Sequence, residues 1–388
     1  MILEREQIQR YLRHILIPEV SGPGQKKLLD SSALVYCDSL TDSAFMLYYL
    51  AAMGIGELHC YAEHAAGQEL LIDNLFKLNP DVKVSITAGA PTCNCSCNHR
   101  VDIVIIASKK PEVHIDFDLY SNIPVIFTAA AGDRGFIKTK AEKDAASSAL
   151  KELYSFYTQN NSQEYSLFAG AAASLTGILA AVETIKALLK IGFLCEAALQ
   201  FDLATYEFVY GTALSRHKSY FTDMKQIYQK LRKAKALIVG SGGLGSPAAY
   251  MLASMGIDIG LVDFDTVELS NLNRQILHNT DRIGMTKVQS AKEFLSKLNP
   301  EIEIAAYEQR FSKHNAEQLL SGYDIIIDGL DNLATRYILN DACYLQKKTL
   351  IEAGVLGFNG LTTVILPDSG PCYRCTFPEE TGKKPVPS

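Results

Sequence analysis

Two stretches of the chain are written on one template, and that repetition limits the folds open to it before any motif is read. Residues 33–61 read ALVYCDSLTDSAFMLYYLAAMGIGELHCY, and residues 236–263 read ALIVGSGGLGSPAAYMLASMGIDIGLVD. Each runs from an apolar segment through a short turn into an apolar-faced helix, a Met-Gly break and a second apolar segment. With Met53-Gly54-Ile55 set on Met255-Gly256-Ile257 and no gap, Gly240, Gly242, Gly243 and Gly245 fall opposite Asp38, Leu40, Thr41 and Ser43. The match continues downstream. KLNPDVKVSI from Lys77 answers KLNPEIEIAA from Lys297, VDIVIIASK from Val101 answers YDIIIDGLD from Tyr323, and PVIFTAAAGDRG from Pro124 answers TLIEAGVLGFNG from Thr349. The segments from Arg13 and Arg216 also agree in length and ends. Two copies of one unit are expected, residues 1–212 and 213–388.

Near-continuous apolar runs such as IVII and DIIID alternate with helical patterns, which predicts an α/β chain with mostly parallel sheets and helices on both faces. A net charge of −6 without a basic stripe argues against nucleic acid as a partner. The N-terminus has no secretory apolar region. The most apolar stretch, 167–182, is short and rich in Ala and Gly, so it reads as a buried helix rather than a membrane span. Nine unevenly spread cysteines do not form a secreted disulfide framework, and a cytoplasmic location is expected.

The second copy carries the chemistry. LIVGSGGLG gives strand, glycine turn and helix start, where glycines permit positive φ and the helix N-terminus offers amides to a phosphate. Asp263 ends the next strand, where a carboxylate can hold a ribose hydroxyl. Those features alone indicate a nucleotide and suit NAD as well as ATP. Three segments further along the chain are more specific: DFDTVELSNLNRQ, then DGLDNLATR, then CYRC. With these motifs the chain resembles the ThiF/MoeB/HesA family, related to the ubiquitin-activating enzymes.

That resemblance implies two Rossmann-like open-sheet units forming an intramolecular pseudo-dimer. It implies ATP- and magnesium-dependent adenylation of the C-terminal glycine of a ubiquitin-like sulfur carrier ending in Gly-Gly, with release of pyrophosphate. Asp263 would hold the ribose; Asn271, Arg274, Gln275 and Lys287 would surround the nucleotide; Asp331 would hold magnesium. Cations suit this chemistry because a carboxylate must attack a phosphate that is already anionic. The plainer readings are a surface arginine at 274, a solvated lysine at 287 and a helix cap at 331.

The first copy lacks all of this. Tyr61 answers Asp263, Lys109 answers Asp331, and the segment matching Asn271, Arg274 and Lys287 falls in a stretch 18 positions shorter. This half is expected to bind no ATP in the family's manner. It keeps RYLRHILIPE from Arg10, which resembles the family's N-terminal arginine segment, so Arg13 is the expected trans-acting cation and Arg216 a relic.

Cys372 and Cys375 form a CxxC pair, half of a tetrahedral zinc site; Cys93, Cys95, Cys97 and His99 follow no standard zinc spacing. After the GxxG at Gly132 the first copy runs another 77 residues, and after the GxxG at Gly357 the second runs 28. The second copy is therefore expected to be incomplete, with an apolar patch exposed. One explanation is an in-frame UGA for selenocysteine after codon 388, which sequencing of the gene would test. Alternatives to carrier adenylation are adenylation of another peptide C-terminus and a non-catalytic partner-binding remnant. A sulfurtransferase is a second expected partner, and molybdopterin or thiamine biosynthesis the expected setting.

Overall fold

The computed structural model describes residues 3–89, 100–109, 120, 122–140, 143–160, 166, 168–212, 214 and 224–378. The chain divides into two units, Met1–Gln226 and Ile227–Ser388. Arg216 and the Cys93–His99 cluster lie outside the described residues.

Unit 1 opens with α1 (Arg5–Arg10), α2 (Leu12–Ile15) and α3 (Ser21–Leu29), and continues through β1 (Ser32–Ser39), α4 (Leu40–Ala52), β2 (Glu57–His64), α5 (Gln68–Leu78) and β3 (Lys83–Ala88). Next come β4 (Ile103–Ala107), β5 (Val125–Ala131), β6 (Arg134–Lys140), α6 (Lys143–Asn160), α7 (Ala169–Leu189), β7 (Leu199–Asp202) and β8 (Glu207–Tyr210). Its sheet has the order β3-β2-β1-β4-β5-β6-β7-β8, parallel through β5 and antiparallel beyond. The continuous apolar runs in β1 and β4 are buried on both faces, as parallel central strands require. The apolar helix α7 is long enough to cross a membrane, yet it packs on α4, β5 and β6. Its buried Glu183 accepts from Thr139 Oγ1 at 2.6 Å and from Cys195 N at 2.8 Å.

The division falls within α8 (Met224–Leu231), and unit 2 continues through β9 (Lys235–Val239), α9 (Gly245–Ser254), β10 (Asp258–Asp263), α10 (Lys287–Leu298), β11 (Ile304–Glu308) and α11 (Ala316–Ser321). It ends with β12 (Ile325–Asp328), α12 (Leu333–Leu345), β13 (Thr349–Leu356), β14 (Asn359–Ile365) and α13 (Tyr373–Thr376). The sheet order is β11-β10-β9-β12-β13-β14, with only β14 antiparallel. Alternation along β9 feeds two cores: Leu237 and Val239 pack with Ile326 and Leu339 on one face, Ile238 with Leu261 and Leu295 on the other. The expected α/β class with two largely parallel sheets is what the chain adopts.

The gapless register between the copies needs a correction. Ser32 N donates to Asp102 Oδ2 at 3.0 Å, and Asp102 N returns to Ser32 O. Lys235 N and Asp324 repeat that exchange at 2.9 Å. Ser32 therefore matches Lys235, which sets Cys37 opposite Gly240 and Asp38 opposite Ser241. At the helix ends Gly54 and Gly256 make the same closing bond, so Ser43 still matches Gly245. Unit 1 thus has one extra residue in its turn. It has another at Gly56, where a Cβ would lie 1.9 Å from Leu29 O. This second insertion brings Ala62, rather than Tyr61, to the position of Asp263, so the carboxylate is missing by either register.

Candidate functional site: the glycine turn of unit 2

Between β9 and α9 the chain must turn within five residues against β12, and glycine makes that possible. Gly240 has φ +96°, and a Cβ there would lie 2.6 Å from Gly329 O. A Cβ on Gly245 would lie 1.8 Å from Gly240 O. Gly242 and Gly243 serve differently. Their absent Cβ atoms would make only ordinary contacts, 3.5 Å from Gln275 Nε2 and 3.6 Å from Arg274 Nε. A cation and an amide thus stand over a stretch of bare backbone at a helix N-terminus.

Three neighbours hold the turn. Asp263, at the end of β10, accepts from Ser241 N at 2.8 Å and Ser241 Oγ at 2.9 Å through Oδ2, and from Asp265 N at 3.0 Å through Oδ1. Its Oδ1 keeps a second lone pair for a ligand. His278 lies 3.2 Å from Ser241 O through Nε2 and 3.0 Å from Ser290 Oγ through Nδ1. A carbonyl only accepts, so Nε2 carries the proton and Nδ1 accepts from the serine. Burial pushes His278 down to about 3, which keeps it neutral. Ser246 Oγ also donates to Ser241 O, at 3.2 Å.

The remaining expected residues sit around this turn. Asn271 is buried in a short 3-10 helix, where its Oδ1 accepts from Glu268 N at 3.0 Å. Arg274 is half-buried, its Nη1 donating to Ser270 O at 2.9 Å and Asn273 Oδ1 at 2.8 Å. Gln275 is 3% exposed, and its Oε1 has no protein partner among the described residues. Lys287, the buried first residue of α10, pairs with Asp265 Oδ2 at 2.8 Å, so the lysine is not a solvated one. Asp331 is exposed just before α12. The cap of that helix is Asn332, whose Oδ1 accepts from Thr335 N at 2.9 Å.

Sequence patterns did not single out the residues beneath Asp331. Asp328 closes β12 at 1% exposure; Oδ1 accepts from Leu330 N at 2.8 Å, and Oδ2 has no protein partner among the described residues. Burial pushes its carboxyl up to about 7, against the pull of Arg336. Arg336 pairs with the buried Glu352, whose Oε2 is likewise without a partner among the described residues. The first Asp of DGLD, at the end of an apolar run, was the one available signal. Unpartnered Gln275 Oε1 and Asp328 Oδ2 are acceptor oxygens, and beside the open turn they suit a donor group or a metal ion better than a closed apolar contact.

Arg13 belongs to unit 1, where it is exposed on α2. Its neighbours fix the segment: buried Arg10 donates to Leu78 O at 2.8 Å, and Asn79 Nδ2 donates to Tyr11 Oη at 2.8 Å. Cys372 and Cys375 lie with sulfurs 3.7 Å apart, near the roughly 3.8 Å edge of a tetrahedron with 2.3 Å zinc–sulfur bonds. Burial raises the Cys372 thiol, but hydrogen bonds from Cys375 and Asn340 more than offset it and bring the thiol below its ordinary range. Among the described residues no group of three metal-ligating side chains occurs, so the pair stands as two ligands only.

In unit 1 the matching turn is closed. Asp38 accepts from Ser108 Oγ at 2.6 Å and Lys109 N at 2.5 Å, and Lys109 Nζ pairs with Asp42 at 3.1 Å. Carboxylates occupy and repel where a phosphate would approach.

Known proteins resemble parts of this chain. The chain is 49% identical over 150 residues to the adenylyltransferase and sulfurtransferase MOCS3 of Culex quinquefasciatus, covering 38% of this chain and 34% of that protein. It is 45% identical over 152 residues to the adenylyltransferase and sulfurtransferase UBA4 of Candida albicans, covering 39% and 35%. The chain thus spans about a third of the length of these curated relatives. Among solved structures, the Escherichia coli tRNA N6-threonylcarbamoyladenosine dehydratase TcdA shares 33% identity over 33% of this chain and 55% of that one, with a TM-score of 0.32. Residues 214–388, which contain the glycine turn and every residue gathered around it, match the ThiF family.

Proposed function

We propose that unit 2 binds magnesium-ATP and adenylates the C-terminal carboxylate of a ubiquitin-like sulfur-carrier protein ending in Gly-Gly. The observation that carries this reading is the pair Arg274 and Gln275 standing over bare backbone at Gly242 and Gly243. In the reaction a carboxylate oxygen attacks the α-phosphorus, the bond from that phosphorus to the bridging oxygen breaks, and pyrophosphate leaves. No protein nucleophile is needed; positioning and charge neutralisation do the work. The turn amides and Arg274 hold the phosphates, Asp263 takes the ribose, Lys287 adds positive charge, and Asp331 takes magnesium. Arg13 is the further cation to be tested. The names of the curated relatives, each both an adenylyltransferase and a sulfurtransferase, support the activity, and a sulfurtransferase is the second partner we propose.

ATP–pyrophosphate exchange with and without a purified Gly-Gly-terminated carrier tests the reading. Carrier-dependent exchange is expected. Arg274→Ala, Asp331→Asn and Arg13→Ala should each lower it by about a hundredfold or more, while Asp38→Gly should leave it unchanged. Exchange driven equally by an unrelated peptide C-terminus would favour the broader peptide-adenylating alternative. No exchange with either would favour a partner-binding role.

A further inference from the structure

The turn that leads to Asp331 is held from within by a buried arginine. Gly329, just past β12, donates to Val239 O at 2.9 Å, and a Cβ on it would lie 2.5 Å from Gly240 O. This turn therefore rests directly on the glycine turn. Leu330 N donates to Asp328 Oδ1 at 2.8 Å. Leu330 O accepts from Arg336, from Nε at 3.1 Å and from Nη2 as well. The remaining nitrogen of that guanidinium, Nη1, pairs with Glu352 on β13. A Cβ on Gly354 would crowd Nη1 at 3.3 Å, so bare backbone there leaves the guanidinium its seat. Both backbone polar groups of Leu330, the residue before Asp331, are thus taken by one cluster.

A role in the fold alone would require this cluster in both copies of the template. Strand pairing shows that unit 1 does without it. Ser32 matches Lys235, so Tyr36 matches Val239; Ile106 pairs with Tyr36 as Asp328 pairs with Val239. The closing pairs of the two hairpins, Ala131 with Arg134 and Leu356 with Asn359, set Phe127 opposite Glu352 and Ala129 opposite Gly354. Ile106 and Phe127 are both 0% exposed. Where Lys109 answers Asp331, the two carboxylates are therefore replaced by apolar core and the glycine seat by alanine. The sheet closes without the ions, in keeping with the small net stability that buried ion pairs give over apolar residues of similar size. The cluster is kept in the copy that keeps Asp331.

We propose that Arg336, anchored by Glu352, is a positioning residue that fixes the carbonyl of Leu330 and so holds Asp331 beside the glycine turn for magnesium. The inference rests on the reading of unit 2 as a magnesium-ATP site. The test titrates ATP into the full chain by calorimetry, once with magnesium and once with EDTA, and follows hydrogen exchange of peptides covering residues 329–332 without nucleotide. In the wild-type chain magnesium should tighten ATP binding. Arg336→Lys keeps the charge but lacks the planar fork that reaches Leu330 O and Glu352 together. It should cut the gain from magnesium about tenfold, as loss of a group that orients a metal ligand does. Binding in EDTA should be unchanged, and exchange at 329–332 should rise severalfold. Glu352→Gln, close to isosteric, should cut the same gain severalfold and serves if Arg336→Lys fails to fold. A wild-type chain that binds ATP no better with magnesium than with EDTA would overturn the reading of unit 2 and this proposal with it. Given a wild-type gain, its full retention by the variants, equal weakening in EDTA, or unchanged exchange at 329–332 would overturn the positioning role alone.

Discussion

Gly243 and Gly245 lie two residues apart in one turn and are glycine for different reasons. A Cβ on Gly245 would lie 1.8 Å from the carbonyl oxygen of Gly240, a backbone atom that cannot swing aside. At Gly243 the same Cβ would rest 3.6 Å from Arg274, an ordinary contact. Gly245→Ala is therefore expected to destabilise unit 2 by about 3 kcal/mol or more, within the range that overpacking and backbone displacement reach. Gly243→Ala should change stability by less than about 1 kcal/mol, yet, on the proposed function, weaken nucleotide binding at least tenfold, because the methyl would stand where that proposal puts phosphate against the amides. Urea unfolding and nucleotide titration on both variants separate the two roles. Equal stability losses would show that the open face is a packing surface. The glycines were legible at this scale; their division of labour was not, because it depends on Gly329 and Arg274, which approach from distant parts of the chain.

At the scale of elements, the hairpin β5–β6 and the hairpin β13–β14 begin from matching sequence and end in different surroundings. β5 and β6 are buried almost throughout, under α7 and beside β7. β14 is the last strand of its sheet, and Leu356, Phe358 and Val364 stand 69%, 65% and 56% exposed. An apolar hairpin whose edge has no partner strand among the described residues is a template for association. Val364→Lys together with Phe358→Ser should reduce dye binding and concentration-dependent self-association, with a change in folding stability of no more than about 0.5 kcal/mol per site. Sedimentation at several protein concentrations checks this, and unchanged self-association would remove the hairpin as its cause. Strand and helix positions could be read from apolar periodicity and glycine punctuation. The one-residue slips at Cys37 and Gly56 could not, since each strand is fixed by its own backbone exchange, Ser32 with Asp102 and Lys235 with Asp324, rather than by the helix after it.

For the molecule as a whole, the least legible features are buried ionisable groups, whose state depends on what folds around them. His278 and Asp328 set opposing pH dependences in unit 2. His278 is held down to about 3 by burial, below its ordinary 6.5. Between those values the unfolded chain takes up a proton that the folded chain refuses, so this residue makes stability rise with pH from about 3 to 6.5. Asp328 is pushed up to about 7 by burial, from its ordinary 3.8. There the folded state keeps a proton that the unfolded state loses, so this residue makes stability fall as pH rises from about 4 to 7. Each slope reaches at most about 1.4 kcal/mol per pH unit, and across the shared window the two offset one another. The contribution of the pair to stability is therefore nearly flat from about pH 4 to 6.5. Single variants expose the components. His278→Gln should leave unit 2 losing stability from about pH 4.5 to 6.5, and Asp328→Asn should leave it gaining over the same interval. Pulse proteolysis in urea, read on peptides from unit 2 at both pH values, measures each slope. Slopes of the same sign in the two variants would mean that at least one of these groups is not held in the folded state as its burial requires.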